Sequence, residues 1–365
     1  MKLGILGLPS VGKSTLFNVI TKAGVQTADH PFSTIEPNVG VVAVPDARLE
    51  KLSKMYSPKK TTPANIEFID IAGLVSGSVR GEGLGNRFLA YIREVDAIIH
   101  TIRCFENENV IHVGSKIDPL SDIETINIEL ILTDIESLEK KIRNVEKLSR
   151  GGDSNIKAEL MILERVKENL EKDIPIRNMK LSREEQKIIK PLSLLTAKPV
   201  IYVVNISEKD IGKDIMDMKL VQKIISYAGK EDSEVVVICA KIEEEIAQLN
   251  DEEKEIFLQE LGIGQSGLAR LIESSYKLLG LISFLTVGRD EVRAWTVKKG
   301  DKAPKAAARI HTDFERGFIR AEIIPADVLL ELGSYSKAKE KGLVKLEGKE
   351  YVINDGDIVE FRFNV

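Results

Sequence analysis

The stretch GLPSVGKST at residues 7–15 follows the short apolar run LGIL at residues 3–6 and precedes the apolar run LFNVI at residues 16–20. This is the G-x-x-x-x-G-K-[ST] pattern between a strand and a helix, which is the context that a phosphate-binding loop requires. Glycines let successive backbone N–H groups point toward an anion, and the N-terminus of the following helix adds partial positive charge. The motif predicts a nucleoside triphosphate site in which Lys13 reaches the phosphates and Ser14 ligates Mg²⁺.

The composition is that of an ordinary globular protein of 365 residues, long enough for two or three domains. The formal net charge of -5 argues against a protein that coats nucleic acid and predicts no DNA partner, although it leaves a local basic patch open. The only two cysteines, Cys104 and Cys239, lie in apolar runs without metal-ligand spacing, which predicts buried thiols. No run reaches the length of a membrane span, so we expect a cytoplasmic protein with no membrane partner.

Six apolar runs, separated mostly by helical patterns, organise the first two thirds of the chain. They lie at residues 3–6, 39–44, 66–69, 97–102, 200–204 and 235–238. This alternation predicts an α/β fold with a mostly parallel sheet and helices on both faces. Ligands of such sheets bind at the carboxyl ends of the strands, which is where the polar motifs of this chain stand.

A helical hairpin is predicted between the fourth and fifth of these runs. Apolar residues recur at spacings of three and four on both sides of a polar break at residues 150–155. The first stripe comprises Ile128, Ile131, Ile135, Leu138, Ile142 and Val145, and the second comprises Ile156, Leu160, Leu163, Val166 and Leu170. Two such stripes predict an antiparallel coiled-coil arm, which serves either as a spacer or as a contact for a large partner.

The last 80 or so residues have a different pattern. Short apolar runs at 284–287, 292–297, 317–322 and 359–363 alternate with turns. The tail GKEYVINDGDIVEF at residues 348–361 resembles the end of a ubiquitin-like β-grasp fold. We therefore predict a separate α+β domain of ordinary size.

A second phosphate-site motif, Asp70-Ile71-Ala72-Gly73, follows the apolar run at residues 66–69. Asp70 would hold Mg²⁺ through a water molecule, and the backbone N–H of Gly73 would face the γ-phosphate. The pattern D-x-x-G is weak by itself, but it is specific downstream of a phosphate loop. Lys13, Asp70 and Gly73 are therefore predicted to act in hydrolysis.

The loop PFSTIEPN at residues 31–38 lies between these two motifs. A threonine here can close on the metal when the γ-phosphate is present, and the loop would loosen after hydrolysis. Thr34 is the predicted ligand, with Ser33 and Thr27 as weaker alternatives.

Leu74 occupies the position at which Ras-like GTPases carry the glutamine that orients the attacking water. Because leucine cannot form a hydrogen bond with water, either hydrolysis is very slow or another group performs this task. Residues 77–86 include four glycines and are a candidate for a mobile loop that carries such a group.

The base-recognition loops indicate adenine. Guanine specificity in this kind of site usually comes from N-K-x-D, but the chain reads Asn205-Ile206-Ser207-Glu208 at the expected strand end. Ile206 replaces the lysine, Glu208 replaces the aspartate with one extra methylene, and an asparagine side chain can satisfy both the N6 donor and the N7 acceptor of adenine. The Ala240-Lys241 pair after the next strand is predicted to cradle the base.

The segments GLPSVGKST, PFSTIEPNVG, DIAGLV, NISE, CAKIEEEI and VRAWTVKKGDKAPKAAARIHTDFERGFIRAEI together resemble the YchF / Obg-like ATPase family, nearly end to end. The resemblance implies an OBG-type P-loop G domain at residues 1–280, interrupted by a helical coiled-coil insertion at 122–197, and a β-grasp TGS domain at 281–365. It also implies Mg²⁺-dependent ATP hydrolysis in preference to GTP, and association with ribosomal RNA and proteins.

The resemblance also implies site residues. The nucleotide would contact Ser10, Val11, Gly12, Lys13, Ser14, Thr15, Asn205, Ile206, Glu208, Ala240 and Lys241, and the metal would be held by Ser14 and Thr34. His112 matches a histidine implicated in hydrolysis, with a simple surface position as the alternative. His100, inside an apolar run, is predicted to be a core residue, and His311 is predicted to be structural or a partner contact.

One departure concerns potassium. The family usually has asparagine where this chain has Ser10, and in related proteins that asparagine helps to hold a catalytic K⁺. The shorter serine leaves K⁺ as an open alternative beside Mg²⁺.

A basic stretch in the C-terminal region could meet ribosomal RNA phosphates. It comprises Arg293, Lys298, Lys299, Lys302, Lys305 and Arg309, near Trp295. The alternative is a solvated face of the domain. Three functions follow from the sequence: an ATPase whose turnover is the output, a nucleotide-gated ribosome-binding factor, and a GTP-specific translation or ribosome-assembly GTPase. Leu74 and the arm favour the second.

Overall fold

The computed structural model describes residues 1–23, 39–71, 89, 91–106, 117–151 and 153–364. Counting only these residues, the structure divides into two compact units. The first holds Met1–Ala23, residues 39–40 and Glu67–Leu271, and the second holds Val41–Ile66 and the residues from Ile272 onward. The predicted domain limits at 122, 197 and 280 stay predictions, but residues 41–66 group with the C-terminal region, which the sequence analysis did not anticipate.

The twelve strands within the described ranges form two sheets of six. Their bounds are β1 (Lys2–Leu6), β2 (Val39–Ala43), β3 (Lys60–Thr62), β4 (Asn65–Asp70), β5 (Ala97–Arg103), β6 (Val200–Asn205), β7 (Glu234–Ile238), β8 (Leu281–Val287), β9 (Glu291–Lys298), β10 (Phe318–Pro325), β11 (Lys345–Glu347) and β12 (Asp357–Phe363). All ten apolar runs quoted above overlap a strand, so these strand predictions are confirmed.

The first sheet has the order β2-β4-β1-β5-β6-β7. β1 pairs in parallel with both β4 and β5, and the parallel pairing continues from β5 through β6 to β7. Every residue of β5 and β6 is buried, as expected for central strands covered on both faces. The strand order reverses direction around β1, and the carboxyl end of β1 leads directly into residues 7–12. The α/β class with a P-loop sheet is thus confirmed.

The helices that matter for the site begin at the carboxyl ends of strands. In the first unit they are α1 (Lys13–Lys22), α3 (Pro119–Ser149), α4 (Ser154–Leu170), α5 (Arg183–Ile189), α6 (Lys219–Lys230), α7 (Ala240–Ile246), α8 (Asp251–Glu260) and α9 (Gly267–Leu278), the last of which continues into the second unit. In the second unit they are α2 (Ala47–Tyr56), α10 (Ala303–Ile310), α11 (Thr312–Arg316), α12 (Ala326–Leu332) and α13 (Tyr335–Glu340). None of the helices within the described ranges is long and apolar enough to cross a membrane.

The predicted helical hairpin is formed by α3 and α4. The ion pairs Lys141–Glu159 (2.8 Å) and Lys167–Glu139 (3.0 Å) show that the two helices run in opposite directions. Most of the two predicted stripes, from Ile131 onward, belong to one apolar cluster of this hairpin.

The assignment of Ile128 to the hairpin seam is wrong, because its side chain is 46% exposed. The first three turns of α3 pack instead on the core of the nucleotide sheet through Ile123, Ile126 and Leu130, and this changes which face of the helix is buried. Asp134 is buried in the same helix and accepts hydrogen bonds from the backbone of Leu195 and Thr196, so the hairpin is tied to the chain that leads into β6.

The second sheet has the order β11-β10-β12-β8-β9-β3 and mixes antiparallel with parallel pairs. Its core contains Phe284, Val297, Phe318 and Phe361, with the small residues of α10 packed against them. A separate C-terminal sheet domain is therefore confirmed. Both cysteines are buried, also as predicted, and burial raises the pKa of the Cys104 thiol to about 12.

Candidate functional site

The phosphate loop lies at the end of β1 and runs into α1. Gly12 precedes the helix with φ of 92°, a conformation that favours glycine, and a Cβ there would collide with the side-chain amide of Asn205. A Cβ on Gly7 would lie 2.6 Å from the carbonyl oxygen of Thr101, so this position also requires glycine. The two glycines of the motif are thus explained by the close approach of neighbouring strands.

Ser10 adopts the left-handed conformation with φ of 64° and is exposed. Asparagine tolerates this region better than most residues do, so the backbone of the loop suits the asparagine usual in the related proteins. Ser14 is exposed at the first turn of α1, and no acidic side chain stands in that turn. The N-terminus of α1 therefore keeps the partial positive charge that a phosphate needs.

Lys13 and Asp70 form an ion pair across β1 and β4. Both side chains are mostly buried, with 11% of Lys13 and 21% of Asp70 exposed. The two motifs predicted to form one site are thus brought into direct contact. The same contact shows that, in this structure, the lysine is held by the carboxylate that is predicted to serve the metal.

The metal site predicted here consists of hydroxyl and carboxylate oxygens, which suit Mg²⁺. Ser14 and Asp70 fit this role, because the exposed hydroxyl and the carboxylate stand at the two sides of Lys13 in sequence and space. Within the described ranges, no group of three or more His, Cys, Asp or Glu side chains is arranged to hold a metal ion. Thr34, with its alternatives Ser33 and Thr27, lies outside the described residues.

Asn205 connects the phosphate loop with the loop after β7. Its side-chain Nδ2 donates to the carbonyl oxygen of Val11 at 2.9 Å, and its Oδ1 accepts from the backbone N–H of Ala240 at 3.0 Å. The residue is 5% exposed. One N–H and one lone pair of the amide are already used, so the predicted adenine contact of Asn205 stays a prediction with only the remaining N–H and lone pair to serve it.

Glu208 and Lys241 form an ion pair where the base is predicted to bind. Their side chains are 46% and 67% exposed, and Ile206 beside them is buried. The hydrogen bond with Lys241 lowers the pKa of Glu208, and the same bond raises the pKa of Lys241. The structure therefore brings together the two charged side chains assigned to the base.

Several predicted residues are not part of this site or cannot be placed. Gly73 and His112, as well as Leu74 and the glycine-rich residues 77–86, lie outside the described residues. His100 is a core residue, as predicted, and its complete burial lowers its pKa to about 3. His311 caps α11, because its Nδ1 accepts the backbone N–H of Asp313 at 3.2 Å.

The sequence analysis did not single out Arg103, which ends β5 directly beside Asn205 in the sheet. Its side chain is 2% exposed, and its Nε donates to the carbonyl oxygen of Phe105 at 3.0 Å. A charged residue that ends a continuous apolar run was the available signal.

The basic stretch of the second unit is partly neutralised. Lys302 is paired with Glu350, and Lys305 with Asp301 at 2.7 Å. The Arg293 guanidinium lies over the Trp295 ring at 4.0 Å from its centre. Lys298 and Lys299 are exposed and have no ion-pair partner among the described residues, so they are the strongest remaining candidates for a polyanion contact.

Comparisons with known proteins agree on one family. A profile described as a 50S ribosome-binding GTPase matches residues 2–241, and a profile for the C-terminal region of YchF GTPases, described as a protein of unknown function, matches residues 281–364. The protein named ribosome-binding ATPase YchF of Bacillus subtilis is 56% identical over 362 residues, with 99% of each chain covered. Its namesake in Haemophilus influenzae is 51% identical over 364 residues, covering 100% of this chain and 99% of the other.

A solved structure leads to the same family. The YchF GTPase of Schizosaccharomyces pombe superimposes with a TM-score of 0.89 at 39% identity, covering 99% of this chain and 97% of that one.

Proposed function

Because the chain belongs to the YchF family of P-loop nucleoside triphosphatases, we propose that it is a Mg²⁺-dependent ATPase whose nucleotide state governs its binding to the ribosome. The observation that carries this proposal is the set of contacts around Lys13, where Asp70 and the Asn205-linked loops converge on one phosphate-binding helix. The bacterial relatives named ribosome-binding ATPase support the ribosome as partner.

The phosphates are proposed to bind at the N-terminus of α1. The backbone N–H groups of residues 10–15 would surround them, and Lys13 would leave Asp70 to reach the β- and γ-phosphates. Ser14 and Thr34 would hold Mg²⁺ directly and Asp70 through a water molecule. When bound, the metal neutralises charge that develops on the phosphates.

Adenine is proposed as the preferred base. Guanine recognition needs a carboxylate at the distance of an aspartate and a lysine stem over the ring, and this chain has Glu208 and Ile206 there. Buried Ile206 offers an apolar surface to either purine, while Glu208 is already bound to Lys241. Ala240 and Lys241, at the start of α7, are proposed to complete the base site.

Intrinsic hydrolysis is proposed to be slow. Leu74 cannot orient water, and Gly73 and His112 are the candidates that the resemblance to the family supplies for action near the γ-phosphate. A slow reaction suits a timer on a bound state, since the output is then ribosome occupancy. The potassium requirement stays open at Ser10, and rates measured in KCl and in NaCl decide it.

The contact with the ribosome is proposed to involve RNA and protein. Lys298 and Lys299 offer unneutralised charge to RNA phosphates, and the helical hairpin of α3 and α4 offers a long surface with charges of both signs. A ribosome-bound protein acts in the cytoplasm, and neither a membrane nor DNA is proposed as a partner.

Two measurements test the proposed function. Calorimetric titration with ATP and with GTP tests the base, and GTP binding tenfold tighter than ATP, about 1.4 kcal/mol, would exclude the adenine assignment. Ribosome binding in the ATP, ADP and nucleotide-free states tests the gating. Equal binding in all three states would reduce the protein to an ATPase without a switch.

The second candidate is a GTP-specific translation or ribosome-assembly GTPase. It is favoured by the description of the matched N-terminal profile and by the name of the Schizosaccharomyces pombe protein, both of which say GTPase. The same titration separates the two candidates. An ATPase assay with and without ribosomes then shows whether turnover responds to the partner.

A further inference from the structure

The chain crosses between the two units twice within the nucleotide-binding region. After residue 40 it enters the second unit, and it returns to the first unit at Glu67, three residues before Asp70. Residues 41–66 therefore separate the predicted metal loop, which ends where β2 begins, from the strand that carries Asp70. This segment belongs structurally to the C-terminal unit although it lies inside the nucleotide motifs.

The first grip on this segment is a strand pairing. β3 is the sixth strand of the C-terminal sheet and pairs in parallel with β9, with Thr61 opposite Val292. The backbone N–H of Lys60 donates to the carbonyl oxygen of Asp290 at 3.1 Å, and the Thr62 hydroxyl donates to Glu291 at 2.5 Å.

The second grip is an ion pair on α2. The Arg48 guanidinium binds Asp46 through two nitrogens, and its third nitrogen donates to Asp355 at 2.8 Å. The other oxygen of Asp355 accepts the backbone N–H of Ser283 at 2.9 Å. A Cβ at Gly356 would collide with this guanidinium, so the C-terminal tail is shaped around Arg48.

The connections from these grips to the nucleotide motifs are short. Only Pro63 and Ala64 separate β3 from β4, and the Ala64 carbonyl accepts the N–H of Val44 at 2.7 Å, which ties the two crossings together. β2 stands at the edge of its sheet as the described residues form it, so one neighbour alone holds it. A strand held on one side shifts more easily than a central strand.

Resting on the proposed function, we propose that residues 41–66 carry the nucleotide state of the phosphate-loop site into the C-terminal unit. Triphosphate binding must separate Lys13 from Asp70 and closes the predicted metal loop, and both changes act on strands that continue into this segment. The paired strand β3 and the Arg48–Asp355 ion pair then transmit them. Coupling of this kind requires an element whose equilibrium both sites bias.

Hydrogen exchange tests this proposal on the unmodified full chain. Samples with Mg²⁺ and either ADP or a non-hydrolysable ATP analogue are compared. We expect the exchange rate of residues 59–62 to differ at least about threefold between the two states, and that of the β10–β12 pairs to stay equal. Equal rates at residues 59–62, with residues 11–15 protected by nucleotide, overturn the inference alone. If neither nucleotide protects residues 11–15, the proposed function fails and the inference fails with it.

Variants provide a second test. Thr62→Val combined with Arg48→Gln removes both grips without touching the nucleotide motifs, and Lys59→Gln is the matched control because the Lys59–Asp290 pair is more than 80% exposed. We expect the double variant to keep nucleotide affinity within about twofold while the ratio of ribosome affinities between the ATP and ADP states falls toward one. An unchanged ratio in a folded double variant contradicts the proposal. If the double variant does not fold, the exchange experiment decides.

Discussion

Lys13 is bound by Asp70, the carboxylate that stands at the end of the neighbouring strand β4. Each side chain occupies the other before nucleotide arrives, so the phosphate site is charge-balanced and the lysine is held close to its target. Binding of Mg²⁺ and triphosphate would exchange this ion pair for two stronger partners, the phosphates for the lysine and the metal for the carboxylate.

Lys13→Ala is expected to weaken ATP binding at least about 100-fold, because no other described cation stands at the start of α1. Stability should change by only about 1 kcal/mol, since Asp70 remains partly hydrated. Titration calorimetry and urea unfolding measure the two effects. Lys22→Ala, which breaks the exposed ion pair with Glu244 at the other end of the same helix, is the control. Normal ATP affinity in Lys13→Ala would contradict the assignment of the phosphate loop.

Asn205→Ala should reduce both stability and nucleotide affinity. The change leaves the Val11 carbonyl and the Ala240 N–H without their partner, at a cost of about 1–3 kcal/mol. Asn250→Ala is the matched control, because it removes the cap of α8 at a cost of about 1 kcal/mol far from these loops in the chain. If both variants lose equal stability and neither loses nucleotide affinity, Asn205 does not position the site.

Ile206→Lys combined with Glu208→Asp restores the guanine-reading pattern. We expect the affinity for GTP relative to ATP to rise about tenfold or more, since the shorter carboxylate can face the guanine edge and no longer reaches Lys241. Titration with both nucleotides gives the ratio, and Ile206→Met serves as the apolar control. A ratio that does not move would indicate that the base is selected elsewhere.

His100 should make the protein sensitive to acid. Its pKa of about 3 in the folded chain lies below the ordinary value, so only the unfolded chain takes up the proton as the pH falls below about 6.5. The contribution of His100 is fully present above that pH and decreases by about 2 kcal/mol by pH 5. Urea unfolding at several pH values should show this loss in the native chain and in His311→Ala. His100→Phe should lack it, and an equal slope in all three proteins would refute the burial argument.

Lys298→Gln with Lys299→Gln should weaken ribosome binding and reduce its dependence on salt. Two lost phosphate contacts lower the slope of log affinity against log salt by about 1.5 to 2. Lys302→Gln with Lys305→Gln is the matched control, because these lysines are already paired with Glu350 and Asp301. Sedimentation with ribosomes over a salt series measures the slope. Equal losses in the two variants would show that the effect is one of overall charge.

The sequence was sufficient for the strands of both sheets and for the meeting of Lys13 with Asp70. Apolar runs of four to eight residues give strands directly, and the carboxyl ends of parallel strands share one edge of the sheet. The burial of His100 followed from its position inside such a run. These predictions depend on local pattern and on one general rule of topology.

The features that the sequence did not reveal depend on contacts between distant residues. β3 has only three residues, Lys60–Thr62, and no apolar alternation, so nothing local indicates that it completes the C-terminal sheet. The exposure of Ile128 arises because α3 changes the surface it packs on, which a continuous heptad pattern does not express. The bonds of Asn205 join three loops separated by up to 194 positions in the chain.

The membership of Lys60–Thr62 in the C-terminal sheet has a consequence for biosynthesis. Its partner Glu291 follows Thr62 by 229 positions, so at ordinary elongation rates the strand waits roughly 10 to 50 seconds after it is made before β9 exists. During that interval the nucleotide motifs on both sides of the segment are already translated, while the sheet that receives it is not. The nascent chain therefore passes through a period in which its phosphate loop is complete and its C-terminal sheet is still missing.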